Sequence, residues 1–212
     1  MMKFSNSKIL IFARSPIIGA VKKRLIPTLG PKGAFIFHKK CIQYTLEKRC
    51  KSDIAPVLLY ITSRGSKNFF SKIVRDFPVN IFYQKGNNLG ERMYHAAKEQ
   101  IIDTTSIILI GTDAPALKNQ DIETALLKLS NQCDIVMQPA EDGGYVLLGM
   151  KKIYKKLFID IPWGTSAVAD ITRDRCKELG VKLIELSECW DIDRPSDLKR
   201  LNALKDFNKF ID

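Results

Sequence analysis

Four short stretches of the chain carry residues whose types and spacing could do chemistry. In IILIGTDAPAL (107–117) an apolar run ends in Gly111, Thr112 and a lone carboxylate, Asp113, just before Pro115. In FARSPIIGAVKKRLIP (12–27) Arg14, Lys22, Lys23 and Arg24 share one loop with glycine and proline turn signals. Phosphate binding needs inward-pointing backbone N–H groups with cations close by, and this segment offers both, although it is neither a Walker A sequence nor G-x-G-x-x-G. In PAEDGGYVLLG (139–149) Glu141 and Asp142 precede paired glycines. Glycines let a backbone approach a ligand closely, while Asp-Gly is equally a hairpin signal. In CWDIDRPSDL (189–198) two carboxylates, Asp191 and Asp193, lie at the far end of the last strand, before a helix opened by Pro195. One faces a crevice and the other solvent, or one of them opens the following helix.

Taken together, the four stretches describe a metal-dependent nucleotide site. Asp113 with Asp191 or Asp193 could hold Mg²⁺ (or Mn²⁺), a cation that prefers oxygen ligands and leaves room for phosphate oxygens and water. The basic loop would hold the same phosphates from the other side. Asn88 and Glu91 in NNLGERM have the spacing of a helix N-cap pair. His38 and His95 stand alone on expected helices and read as structural.

These residues need elements to position them. Apolar runs rich in Ile and Val, at 8–13, 56–62, 79–84, 106–111, 133–139, 145–150 and 181–187, read as strands. Amphipathic stretches at 33–50, 66–77, 89–102, 119–130, 165–180 and 196–207 read as helices. Strands alternating with helices imply a mostly parallel sheet covered on both faces. In such a sheet ligands bind beyond the carboxyl ends of the strands. Asp113, two residues past a central strand, should project there or else bond its own turn backbone. The close strands and Pro-Trp-Gly loop of 139–165 break the rhythm and are expected to form a small substrate-covering insert. One domain over 1–212 is the simplest organisation, with no internal repeat or linker.

Composition narrows the class. Hydrophobic residues make up 45% and charged residues 27% of 212, ordinary globular usage. No apolar stretch reaches the roughly 18 residues of a membrane span, and the N-terminus does not read as a signal peptide, so a cytoplasmic protein is expected. Five cysteines, an odd number with no C-x-x-C, argue against a disulfide framework or a zinc site. The net charge of +11 favours anionic partners. The lysines are scattered and no aromatics interleave with them, which argues against nucleic acid.

In this order the segments FARSPIIGAVKKRL, LGERM, GTDAPAL, AEDGGYVLLG, IPWGTS and DIDRPSDL resemble the GT-A-like transferases of the radical-SAM/selenodomain-associated type. The resemblance spans residues 11 to about 201. It implies a Rossmann-like GT-A three-layer α/β/α fold within the nucleotide-diphospho-sugar transferase superfamily, related to cofactor guanylyltransferases. It also implies a divalent metal on Asp113 and Asp193, and a nucleotide held by Ala13, Arg14, Gly19, Lys22, Arg24, Gly90 and Thr112. Lys22, Arg24 and Asp113 would be catalytic. Asp142, Gly143, Gly144, Trp163 and Thr165 would bind the acceptor. Lys23 and Arg194 stand where the family usually has threonine, adding positive charge near the phosphates.

The expected activity is transfer from a nucleotide-activated donor to a small acceptor. The single Asp113, in place of the D-x-D pair of many glycosyltransferases, favours nucleotidyl transfer to a phosphorylated or acidic acceptor. Glycosyl transfer from an NDP-sugar is the alternative, and a non-catalytic nucleotide-binding protein the rival from another class. The oligomeric state is open, a homodimer included.

Overall fold

The computed structural model describes residues 1–62 and 67–208. Among them lies one seven-stranded sheet: β1 (Ser7–Ala13), β2 (Val57–Ile61), β3 (Asn80–Tyr83), β4 (Ser106–Ile110), β5 (Ile135–Pro139), β6 (Tyr145–Met150) and β7 (Leu183–Glu185). Their spatial order is β3-β2-β1-β4-β6-β5-β7. β6 pairs antiparallel with both β4 and β5, and every other pairing is parallel.

The apolar runs are continuous because both faces of the sheet are covered. Ile9 and Ile11 of β1 join one core with Ile42 and Leu46 of α1 (Ile26–Cys50), Phe70 of α2 (Lys67–Asp76) and Ile122 of α4 (Asn119–Asn131). Leu10, one residue out of phase, joins the opposite core with Met93 of α3 (Leu89–Gln100) and Ala169 of α5 (Val168–Glu178). That alternation is the period-two geometry of a strand with a buried side on each face. The result is the three-layer, mostly parallel α/β/α architecture expected. Among the described residues no helix is long and apolar enough to cross a membrane, and all five cysteines are free.

Several boundaries differ from the expected ones. α1 starts seven residues early, at Ile26, because a turn of helix precedes a break at Gly30 (φ 68°) and Pro31. Ser66, the expected start of α2, lies outside the described residues. α5 begins at Val168 rather than 165, because Gly164 (φ 84°) and the Thr165 hydroxyl, donating to Pro162 O at 2.8 Å, close a turn first. The stretch 139–165 is not an appended insert: β6 enters the main sheet, and only the segment after it lies off the sheet. The expected last helix is instead a 3-10 run over Pro195–Ala203 followed by a single turn, α6 (Lys205–Asn208). Leu198, Leu201, Leu204 and Phe207 recur every third residue, the repeat of a 3-10 helix. They pack on Phe37 and Tyr44 of α1. This packing folds the C-terminal segment back towards β4.

Candidate functional site

The sheet order reverses beside β1. The chain lays β2 and β3 on one side of β1, then returns to place β4 on the other. A crevice opens where the carboxyl ends of two such strands diverge. Ala13 and Arg14 leave the end of β1, and Gly111, Thr112 and Asp113 leave the end of β4. A connected cleft runs along this edge. One cavity of about 450 Å³ is lined by Ala13, Arg14, His38, Gln84, Thr112 and Asp113, among others. A second, of about 410 Å³, lies between Lys22, Lys23, Arg24, Asp113 and Asp193. A third, of about 470 Å³, is walled by Arg24, Asp142, Asp191, Asp193, Arg194 and Arg200.

Asp113 is the centre of this arrangement. Lys22 Nζ lies 2.9 Å from Asp113 Oδ1, and it also donates to the Ile192 carbonyl. The Lys22 side chain is 5% exposed and that of Asp113 is 51%. Lys22 reaches this position from a left-handed backbone (φ 46°), a conformation uncommon for a residue with a side chain. Burial is the largest influence and acts to lower the Lys22 ammonium, but the charge and hydrogen bond of Asp113 together with Cys41 and Asp191 outweigh it and raise the lysine above its ordinary 10.5. Burial likewise acts to raise Asp113, and Lys22, with His38 and Arg14, more than offsets it, holding the carboxyl below 3.8. Ile192 N donates to Asp113 O at 2.9 Å, which fastens the 189–193 segment to the end of β4.

The two acidic neighbours have different environments. Asp193 pairs with Arg24. Asp191 makes no ion pair among the described residues; burial first, then Asp142 and Asp113, push its carboxyl up to about 6. Neither caps the following helix. Asp197 does, its Oδ2 accepting from Asp193 N at 3.0 Å and Arg194 N at 2.7 Å.

Of the residues expected to bind nucleotide, Ala13, Arg14, Lys22, Arg24 and Thr112 line the cleft together with Asp113, the expected metal ligand. Gly19 sits at the exposed tip of the basic loop, in the left-handed region (φ 77°). Gly90 is buried: a Cβ there would come within 2.0 Å of Phe158 O and 2.5 Å of Trp163 Nε1. Its missing side chain lets the Trp163 loop pack on α3. Asn88 and Glu91 form the expected cap, Asn88 Oδ1 accepting from Glu91 N at 2.9 Å.

Asp142, Gly144, Trp163 and Thr165 line the cleft. Asp142 also accepts from Gly144 N at 2.9 Å, closing its own turn. Gly143 (φ 87°) is wedged against the α5 approach, where a Cβ would meet Ser166 O at 2.2 Å. Arg194 borders the third cavity, and Lys23 the second.

Sequence reasoning read His38 as structural and passed over Thr62, Gln84 and Arg49. His38 is buried; its Nε2 donates to Arg14 O at 3.0 Å, and its Nδ1 has no partner among the described residues. Burial lowers its pKa, so it stays neutral and braces the basic loop from α1. Thr62 and Gln84 stand just past β2 and β3. Thr62 Oγ1 accepts from Ser15 N at 2.9 Å, and Gln84 Nε2 donates to Ala13 O and Tyr60 O. Their position after parallel strands was the available signal. Arg49, buried at the end of α1, donates to Leu117 O and Asn119 Oδ1 and so holds the connection that carries Asp113.

The carboxylates suit a cation that takes few protein ligands. Among the described residues no three His, Cys, Asp or Glu side chains are grouped to hold a metal. Mg²⁺ commonly takes one or two carboxylates with phosphates and water. The half-open Asp113 carboxylate beside the unpaired Asp191 matches that demand.

The family model described as "Uncharacterized protein conserved in bacteria (DUF2064)" matches residues 45–165. The chain belongs to this family. No curated protein sequence matches it. Among solved structures, a "putative nucleotide-diphospho-sugar transferase" from Desulfovibrio desulfuricans G20 aligns with a TM-score of 0.82 and 24% identity, over 97% of this chain and 98% of that one. A cytidylyltransferase from Leptospira borgpetersenii aligns at 0.64 and 17%, over 98% and 92%. A CMP:2-keto-3-deoxy-manno-octonic acid synthetase complexed with CTP aligns at 0.60 and 14%, over 94% and 98%. The fold is therefore that of the nucleotidyl- and nucleotide-sugar transferases.

Proposed function

We propose that this chain transfers a nucleotidyl group from a nucleoside triphosphate to a small anionic acceptor. The observation that carries the reading is the convergence of Arg14, Lys22 and Arg24 with Asp113 at the reversal of the sheet. The nucleoside would lie beyond β1, β2 and β3, between Arg14, Thr62 and Gln84. Its triphosphate would lie along the basic loop. An oxygen of the acceptor attacks the α-phosphorus, a new P–O bond forms, and the bond to the β-phosphate oxygen breaks, releasing pyrophosphate. Positioning and charge neutralisation supply the rate enhancement. Arg14 and Arg24 offer forked donors to phosphate oxygens, and Lys22 a point charge. An ionised acceptor needs no general base.

Mg²⁺ would be held by Asp113, through the oxygen Lys22 leaves open, with Asp191 as second carboxylate. Asp193, the partner expected from the sequence, is already tied to Arg24 and is the alternative ligand. Bound there, the ion would offset phosphate charge.

Calorimetric titration with each of the four NTPs plus Mn²⁺ tests the reading, with CTP first because two proteins of this fold are named for cytidylyl chemistry or hold CTP. Wild type should bind at least one, and Asp113→Ala should lose the metal-dependent part of that affinity. Equal nucleotide affinity in both proteins would remove Asp113 from the metal site. Asp191→Asn weakening Mn²⁺ more than Asp193→Asn identifies the second ligand. In turnover with candidate acceptors, pyrophosphate release supports nucleotidyl transfer, whereas free NDP from an NDP-sugar supports glycosyl transfer.

A further inference from the structure

The wall of the cavity assigned to the nucleoside holds a side chain whose polar atoms the protein itself fixes. Gln84 leaves the end of β3, its N donating to Ile61 O at 2.9 Å. Its side chain reaches over the end of β2, where Nε2 donates to Tyr60 O at 2.9 Å and to Ala13 O at 3.2 Å. Both amide hydrogens are thereby spent on main-chain carbonyls. The amide cannot turn over, because Oε1 would then face two acceptors that have no hydrogen to give. The group that the half-buried Gln84 offers to the cavity is therefore Oε1, an acceptor without a partner among the described residues.

The groups around it donate. Arg92 gives Nε to Gly86 O at 3.0 Å and keeps its two terminal nitrogens. Arg14 brings a second guanidinium. Thr62 Oγ1 already accepts from Ser15 N at 2.9 Å, which leaves its own hydrogen to donate. Phe12 and Leu89 add apolar surface against which a flat ring sheds water. A fixed acceptor among donors prefers a ring edge with the reverse pattern, an N–H donor beside acceptors.

Nucleobases differ at this point. Cytosine and adenine carry an exocyclic amino group next to a bare ring nitrogen, whereas uracil, guanine and hypoxanthine carry an oxo oxygen next to a ring N–H. We propose that Gln84 Oε1 accepts from the exocyclic amino group of the base, so that the nucleotide is a 4-aminopyrimidine or a 6-aminopurine triphosphate and the oxo bases are rejected. An oxo oxygen brought to Oε1 sets two acceptors face to face, each stripped of water without gaining a hydrogen. At about 450 Å³ the cavity holds either ring size, so the amino group is the feature selected. This inference deepens the nucleotidyl reading and rests on it.

The test is calorimetric titration of the full chain, with Mn²⁺, against two matched pairs: CTP with UTP, and ATP with ITP. Each pair differs by amino for oxo and the accompanying ring hydrogen. In the pair that binds more tightly, wild type should favour the amino member about tenfold. Gln84→Leu removes the amide, and that ratio should fall to near one. Gln84→Lys restores donors for Ala13 O and Tyr60 O but has no acceptor, and its ratio should invert towards the oxo member. The added charge acts on all four triphosphates alike and cancels in the ratio. Far-UV circular dichroism confirms the fold of both variants. Equal affinity within both pairs for wild type overturns the proposal, as does UTP, ITP or GTP being the tightest ligand. So does a wild-type ratio retained in either folded variant. Each of these failures, with nucleotide affinity present, sinks the base assignment alone; absence of affinity for every NTP sinks the nucleotidyl reading with it.

Discussion

Removing one partner of the Lys22–Asp113 pair should cost different amounts depending on which partner goes. Breaking a fully buried pair costs about 3–5 kcal/mol, because the survivor is a buried, uncompensated charge. An exposed pair is worth about 0–1 kcal/mol. Here the burial is lopsided: the ammonium is 5% exposed and the carboxylate 51%. Asp113→Asn keeps an acceptor but strands the buried cation, with water reaching it only through the open side of residue 113. Discounted for that access, the loss is about 2 kcal/mol. Lys22→Met keeps the aliphatic stem and strands a carboxylate already half in water, together with the Ile192 carbonyl, for about 0.5–1 kcal/mol. For a chain of this size each kcal/mol is worth about 2–4 °C in Tm. Asp113→Asn should therefore fall about 4–8 °C and Lys22→Met about 1–4 °C, measured by thermal and urea unfolding at pH 7. The pH dependence has a fixed sign. The raised Lys22 contributes stability that is whole below its unfolded value of 10.5 and lost as pH climbs through the higher folded value. The lowered Asp113 contributes above its unfolded value of 3.8 and is lost as pH falls through the lower folded value. Lys22→Met proving as costly as Asp113→Asn would refute the claim that the lysine is the buried partner.

Three further perturbations test the scaffold around the site. Arg49→Met should destabilise by about 1–3 kcal/mol, because Leu117 O and Asn119 lose their buried donor; it should also weaken nucleotide affinity by displacing Asp113, whereas a purely local effect would leave affinity intact. Gly90→Ala drives a methyl group into Phe158 O and Trp163, so it should shift the Trp163 emission and loosen nucleotide binding; an unchanged spectrum would contradict the packing role. Glu185 accepts two bonds from Arg173, Oε1 and Oε2 each at 2.7 Å, joining α5 to β7. The Arg173 bonds lower its carboxyl, so the stability it contributes is present above 4.5 and lost as pH falls through the folded value. Glu185→Gln should flatten the fall of urea-derived stability as pH drops below 4.5 relative to wild type.

Much of the scaffold was legible in the residues. Continuous Ile/Val runs separated by amphipathic stretches already require two-sided burial, and this alone orders the strands and helices. Asp113 at the tip of such a run, and a cationic loop after the first strand, follow from local pattern. Asn88 and Glu91 announced their cap because capping is settled within four residues. The 3-10 run near the C-terminus was legible in principle too, through leucines at every third position, but its composition equally suits an α-helix, and packing on α1 decided between them.

What the sequence could not assign were relations across the fold. Asp191 and Asp193 are interchangeable as letters; only the return of the C-terminal segment onto α1 ties one to Arg24 and leaves the other beside Asp113. His38 could be read as structural but not placed at the site, because its partner, the Arg14 carbonyl, is a backbone atom that a pattern of side chains does not record. Tyr145 reads as an ordinary strand residue, and the burial of its hydroxyl, without a partner among the described residues, leaves no mark in the spacing. Local interactions act over a few residues and leave their mark in spacing, whereas burial and partnership are set by which distant surfaces meet.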